Sequence, residues 1–285
     1  MKKNLIDLSG KIDNQRLYAI ETISRIASSL KIPFFIIGAT ARDMLLAVHN
    51  IPTYRATLDI DIGVEVPDWK KFNQLKKGLV ETGRFTSAKE EQRLKYKNHI
   101  DIDIIPFGTI SDKNHLIKWP SQETVMHVLG FEETFKHAQI VRLRSKPVLD
   151  VKLVTLPGLT VMKIFSWKDK YPERKKDATD LFLIIRYYAD AGNFERIPVE
   201  LPDLLDSDDF DFVRAGARLL GRDIAKFLNP ATKKEVLDIL EKETGEQDRY
   251  RLIEDMMRSD IGSISDFDNI LSLLEELKTG ILEGR

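Results

Sequence analysis

The chain has 285 residues, 42% of them apolar and 31% charged, with 44 Lys and Arg against 45 Asp and Glu, a formal net charge of −1 and no Cys. This excludes a disordered, collagenous or low-complexity chain, and the missing Cys excludes disulfides, thiolate nucleophiles and Cys-bound metals. The charge balance argues against a uniformly basic nucleic-acid binder. At roughly 150 residues per domain the length predicts two domains. No run reaches the ~18 to 20 apolar residues of a membrane span. Met1-Lys2-Lys3 is not followed by the apolar core of a secretory signal, so the expected compartment is the cytoplasm.

In chain order, Asn14 to Leu30 places Leu17, Ile20, Ile23, Ala27 and Leu30 at helical spacing, and Lys31-Ile32-Pro33 ends it before the apolar strand Phe34 to Ile37. A glycine turn at Gly38 leads into a second helix over Thr40 to His49. Thr57 to Val66 alternates strictly, with Thr57, Asp59, Asp61, Gly63 and Glu65 on one face and apolar residues on the other. Asp68 reads as the N-cap of an amphipathic helix through Thr82. A second alternating strand carries His99, Asp101 and Asp103 on one face and Ile100, Ile102 and Ile104 on the other, ended by Pro106 and Gly108. Gln139 to Leu143 and Val148 to Val154 are further strands. Beyond Pro157-Gly158 the pattern becomes helical: Thr160 to Lys168, Ala178 to Ala189, Phe210 to Leu228, Thr232 to Glu243, Tyr250 to Arg258 and Asp266 to Leu282. The prediction is an α/β (α+β) protein, with a mixed sheet and flanking helices over residues 1–156 and an α-helical domain over 157–285.

Asp59 and Asp61 are two residues apart on a strand, so their carboxylates share a face about 6.6 to 6.8 Å apart along its axis. They repel each other unless a cation lies between them. Hard divalent ions such as Mg²⁺, which use one or two protein carboxylates together with substrate phosphates, suit that arrangement. Asp101 and Asp103 repeat the device on a second strand, although Asp disfavours strands. If the two strands are neighbours, three or four carboxylates cluster; otherwise these are two solvated strand faces. The turn Gly38-Ala39-Thr40-Ala41-Arg42-Asp43 offers a close backbone approach, helix N–H groups and a hydroxyl to phosphate. It lacks the further glycines of a Walker A loop or a dinucleotide fingerprint.

In the helical half, Asp177 heads an inward stripe with Leu181, Ile184 and Tyr188, near Lys163, Trp167, Arg174, Lys175, Lys176 and Asp180. Asp177 either caps its helix, with the basic cluster solvated, or orients Lys163 or Lys176 toward a triphosphate. The five His (His49, His99, His115, His127, His137) show no metal-ligand spacing.

Read in order, GATARD, RATLDIDIGV (Arg55 to Val64), HIDIDIIPFG (His99 to Gly108) and LPGLTVMKIFSWKDKYPERKKDATDL (Leu156 to Leu181) resemble the AbiEii/AbiGii-type nucleotidyltransferases of the DNA polymerase β superfamily, the toxins of type IV toxin–antitoxin and abortive-infection systems. The likeness spans about Phe34 to Tyr188, and beyond Asp190 only helical character matches. It implies a polymerase β-like sheet domain followed by helices, with the active site between them. Asp59 and Asp61 would bind metal, with Asp103 as the third carboxylate in preference to Asp101. Gly38 and Thr40 would hold the nucleotide phosphates, although Ala39 departs from the superfamily's usual small polar or Gly residue. Lys163 would match the second domain's lysine, and Asp177 or Asp180 its acid.

The expected reaction is transfer of NMP from an NTP to an acceptor hydroxyl on RNA or tRNA. Two Mg²⁺ ions would sit on Asp59, Asp61 and Asp103, and Asp103 would also be a proton acceptor. Lys163, Arg42 and Lys176 would neutralise phosphates, and a cognate antitoxin would be the partner. A small-molecule nucleotidyltransferase, or a non-catalytic nucleotide- or RNA-binding module, is the alternative. The near-zero net charge conceals local imbalance. Residues 70–97 hold nine Lys and Arg against three Glu, residues 163–176 six against two, and residues 200–211 six acids and no base.

Overall fold

The computed structural model describes residues 5–53, 59–121, 125–206, 208–245, 250–258 and 266–284. The chain forms two units, Met1–Val48 with Arg55–Thr155, and His49–Tyr54 with Leu156–Arg285. The second unit thus includes a short segment that the predicted division at 156/157 places in the first.

The first unit begins with β1 (Ile6–Asp7), α1 (Asn14–Ser29), β2 (Phe34–Ile37), α2 (Gly38–Val48) and β3 (Ile60–Glu65). It continues with α3 (Trp69–Val80), β4 (Phe85–Ser87), β5 (Arg93–Tyr96) and β6 (Ile100–Phe107). A small two-stranded sheet of β7 (Leu116–Lys118) and β8 (Val125–His127) precedes α4 (Phe131–His137), β9 (Gln139–Ser145) and β10 (Val148–Leu153). The other eight strands form one mixed sheet in the order β1-β9-β10-β2-β3-β6-β5-β4. Its central strands β3 and β6 run parallel, while β2 and β5 flank them antiparallel. The expected mixed sheet is therefore present, and the two Asp-bearing strands, whose relation the sequence left open, are neighbours.

The caps follow the local chemistry. The Asp13 carboxylate accepts from the Arg16 N–H at 2.9 Å and the Asp68 carboxylate from the Lys71 N–H at 2.8 Å, each satisfying an orphan donor of the first turn. One sheet face carries Ile60, Ile62, Val64, Ile102 and Ile104, all buried. The opposite face carries Phe35, Ile105 and Phe107, and α4 seals that apolar end with Phe131 and Phe135, both in contact with Phe35 and Phe107. Gly63, paired with Phe35, makes room for its ring, because a Cβ there would lie 2.3 Å from Phe35 Cε1.

Three boundaries differ from the sequence expectation. Residues 57 and 58 of the predicted strand 57–66 lie outside the described residues, and β3 begins at Ile60, just after Asp59. Pro106 does not end its strand: β6 runs on to Phe107. The Ile104 N–H donates to the Gln92 carbonyl on the β5 side, so the nitrogen of Pro106, two residues on, faces a side where β5 has already ended and no donor is needed. Pro157-Gly158 lies inside a helix that starts four residues before the predicted Thr160, because Pro is tolerated in a first turn.

The second unit contains α5 (Leu156–Asp169), α6 (Lys175–Tyr187), a π-helical turn at Ala189–Asn193, a 3-10 turn at Phe194–Arg196, and the short helices α7 (Ile197–Glu200) and α8 (Pro202–Leu205). Then follow α9 (Phe212–Ala225), α10 (Pro230–Thr244), α11 (Arg251–Met257) and α12 (Phe267–Glu283). Its core is the buried stripe of each long helix, including Leu181, Ile184, Leu219, Leu220, Ile239, Leu274 and Leu277. Among the described residues no helix is long and apolar enough to cross a membrane.

Candidate active site

In the parallel register of β3 and β6, Asp61 stands directly opposite Asp103. Paired residues on adjacent strands, about 4.8 Å apart, project to one face, so the two carboxylates are neighbours. Asp101 lies two residues before Asp103 on β6 and shares its face. At the other side of Asp61, β2 places Ile37 in register with it, and Gly38 follows as the first residue of α2.

Gly38 is needed there twice over. Its φ of +72° lies in the left-handed region, and a Cβ would stand 1.9 Å from Asp61 Oδ2. The close approach that the sequence assigned to a ligand's phosphate is thus made first by the Asp61 carboxylate. That carboxylate lies against the first residue of α2, where the helix dipole is positive.

Thr40 differs from expectation in a related way. It is fully buried, and its hydroxyl donates to the Asp59 carbonyl at 2.5 Å, tying the first turn of α2 to the backbone just ahead of β3. The hydroxyl proton expected to meet a phosphate is committed to that carbonyl. Arg42, expected to neutralise pyrophosphate, is 3% exposed, and its Nε and Nη2 donate to Asp43 Oδ1 at 2.9 and 2.6 Å.

The residues that sequence reasoning missed as site members are Arg93 and Lys95 on β5. Arg93 faces Asp103 in register and forms a fork with it, Nε to Oδ1 at 2.8 Å and Nη2 to Oδ2 at 2.7 Å. Its third nitrogen, Nη1, donates to Asp101 Oδ2 at 2.9 Å, and Lys95 Nζ donates to Asp101 Oδ1 at 2.8 Å. The hydrogen bond to Asp103, outweighing desolvation, holds the Arg93 guanidinium even more firmly protonated than usual.

These pairs correct the premise that only a bound metal would offset the strand carboxylates, since guanidinium and ammonium groups already do so at Asp101 and Asp103. Among the described residues no three His, Cys, Asp or Glu side chains are grouped to hold a metal ion, so Asp59, Asp61 and Asp103 are not a ready-made metal cage. The juxtaposed Asp61 and Asp103 still fit an ion such as Mg²⁺, which takes one or two carboxylates and draws its other ligands from water and substrate phosphate. Asp59, half-buried, precedes Asp61 by two residues.

In the second unit, Lys163 on α5 is buried and its Nζ lies 2.6 Å from both Asp177 Oδ1 and Asp180 Oδ2 on α6. Asp177 also accepts from the Ser166 hydroxyl at 2.8 Å. The two acids between which the sequence could not choose hold the same ammonium. Burial works against the charge on Lys163, but Asp180 and Asp177 outweigh it and raise its pKa above the ordinary value. Burial likewise raises Asp177, and Lys163 outweighs it, holding its pKa below the carboxylate range. Lys163 is therefore engaged by carboxylates rather than presented as a free cation. Lys176 is exposed in the first turn of α6 and makes no part of this cluster.

No family model matches the chain, and no curated protein matches it. Among solved structures it is similar to the antibiotic-resistance factor ANT(2'')-Ia, at 13% identity and a TM-score of 0.38 over 67% of this chain and 97% of that one. It is also similar to a CCA-adding enzyme in complex with ATP, at 15% identity and a TM-score of 0.34 over 94% and 68% of the two chains. A third likeness is to the Thermotoga maritima CCA-adding enzyme complexed with tRNA, at 13% identity and a TM-score of 0.28 over 96% and 82%. Likenesses this remote carry no weight at the site, which is read from its own residues.

Proposed function

We propose that the protein is a nucleotidyltransferase whose reaction is centred on Asp61 and Asp103. The observation that carries this reading is the side-by-side register of the two aspartates on parallel central strands, next to a glycine at the head of α2. Two carboxylates at the positive end of a helix form a site for a cation-bound polyphosphate, because cation and helix amides each balance part of the phosphate charge.

In the proposed reaction an acceptor hydroxyl attacks the α-phosphorus of an NTP. A new P–O bond forms, the bond to the oxygen bridging to the β-phosphorus breaks, and pyrophosphate leaves. Asp61 and Asp103, with Asp59 beside them, would hold one or two Mg²⁺ ions, whose chemistry when bound is to offset charge on the attacking and leaving oxygens. Asp103 would also take the acceptor's proton. The first-turn N–H groups of α2 bind phosphate, and Thr40 holds that turn against the strand. Lys163, with Asp177 and Asp180, supports the helical unit.

We assign RNA, tRNA included, as the acceptor, on the strength of the basic stretch 70–97 and of the family resemblance. The toxin role and a cognate antitoxin extend the same reading through the family resemblance. The test mixes the protein with Mg²⁺, each α-labelled NTP, and either total cellular RNA or a panel of small hydroxyl compounds. Label in RNA that is lost in Asp61→Asn and Asp103→Asn supports the proposal. Label in a small compound moves the acceptor class, and equal labelling by the variants removes the proposed centre. Growth arrest on expression, absent in Asp61→Asn, tests the toxin role.

A further inference from the structure

We infer that Arg93 is the resident counter-ion of Asp103 and that a divalent cation must compete with it for that carboxylate, so that β5 sets the metal threshold of the site. This deepens the nucleotidyltransferase reading and rests on it.

Both oxygens of Asp103 accept from the guanidinium, Oδ1 from Nε and Oδ2 from Nη2. Each fork bond takes one of the two lone pairs of its oxygen, and a guanidinium and a divalent ion on the same carboxylate repel each other. The arrangement also supplies the displaced group with a second seat. Nη1 already holds Asp101 Oδ2 at 2.9 Å, so Arg93 can release Asp103 without losing its anchor, while Lys95 retains the other Asp101 oxygen. The fork is partly open to solvent, with side chains 28% exposed for Arg93 and 18% for Asp103, so an incoming ion can reach it. Two cations on β5 balance two acids on β6, whereas Asp61 lies on the far side of Asp103 from β5. A metal held by Asp61 and Asp103 would set one cation against another at Asp103.

The test measures Mn²⁺ binding to the full chain by calorimetry, with no nucleotide present, so its readout is independent of turnover. Arg93→Gln should bind Mn²⁺ roughly tenfold more tightly, the scale of one unit charge acting across a few ångströms of partly solvated site. Arg93→Lys keeps the charge but cannot make the fork, and should tighten binding by about threefold. It serves alone if the Gln variant does not fold. Asp61→Asn and Asp103→Asn should weaken binding. If Arg93→Gln, or Arg93→Lys in its place, binds Mn²⁺ no better than the parent while both Asn variants bind it worse, Arg93 merely positions Asp103 and the inference fails alone. If the Asn variants bind Mn²⁺ as the parent does, the carboxylate pair is no metal site and the inference falls together with the proposed metal-assisted reaction.

Discussion

Replacing Gly38 by Ala would disturb the proposed site through two separable effects. The first is backbone strain: at φ +72° an L-residue pays about 1–2 kcal/mol. The second is collision, since the new Cβ would stand 1.9 Å from Asp61 Oδ2 and 2.8 Å from Asp61 Cβ. Relief requires Asp61 to leave its rotamer or the turn to move, adding about 1–3 kcal/mol on the scale of overpacked sites. Gly83 provides the control, because it has the same φ of +72° and a Cβ added there would meet nothing within 4 Å. Gly83→Ala should therefore cost only the backbone part, and Gly38→Ala about 2–5 kcal/mol in all. Urea unfolding followed by tryptophan fluorescence, with Trp69 and the buried Trp119 reporting on the first unit, measures both. Nucleotidyl transfer should fall with Gly38→Ala and stay unchanged with Gly83→Ala. Equal midpoints and equal activity for the two variants would refute the packing of Asp61 on Gly38.

Other expected outcomes concern the packing beneath the site and the helical unit. Gly63→Ala has no φ strain but sets a Cβ 2.3 Å from the Phe35 ring, and should lower the urea midpoint by the equivalent of about 1–3 kcal/mol. Lys163→Met leaves Asp177 and Asp180 buried without their ammonium and should cost about 3–5 kcal/mol, whereas Asp180→Asn, which leaves the Lys163–Asp177 pair, should cost clearly less. The same pair predicts a pH dependence. Asp177, with its folded pKa lowered from 3.8, contributes stability that is complete above that unfolded value and lost as pH falls through the lower folded one. Lys163, raised from 10.5, contributes stability that is complete below 10.5 and lost as pH rises through its folded value. The stability gap between the parent and Asp177→Asn should hold between about pH 5 and 9 and narrow as pH falls below 3.8, as measured by urea midpoints across the range.

The strongly patterned parts of the fold were legible in the sequence. Alternation over 57–66 and 99–104 marked two half-buried strands because a period of two leaves no other economical burial, and Asp68 marked a helix start through its capping chemistry. The alternating Arg93-Leu94-Lys95-Tyr96 carries the same signal, and it lies across a three-residue turn, Lys97 to His99 with Lys97 and Asn98 at positive φ, from the Asp-bearing strand. Counted only as basic charge, those residues concealed the counter-ions of Asp103 and Asp101. Which charges face one another depends on strand order and register, and neither is written in local periodicity. Thr40 and Arg42 show the same limit, since a turn's sequence gives their donors but not the Asp59 carbonyl and the Asp43 carboxylate that engage them.

The most direct test of the central claim is pyrophosphate release from each NTP in Mg²⁺ and total cellular RNA, comparing the parent chain with Asp61→Asn and Asp103→Asn after circular dichroism shows that all three are folded. The account predicts release by the parent and at least about a hundredfold less by either variant, the scale of losing a group that stabilises transition-state charge. Equal release from all three proteins would contradict it.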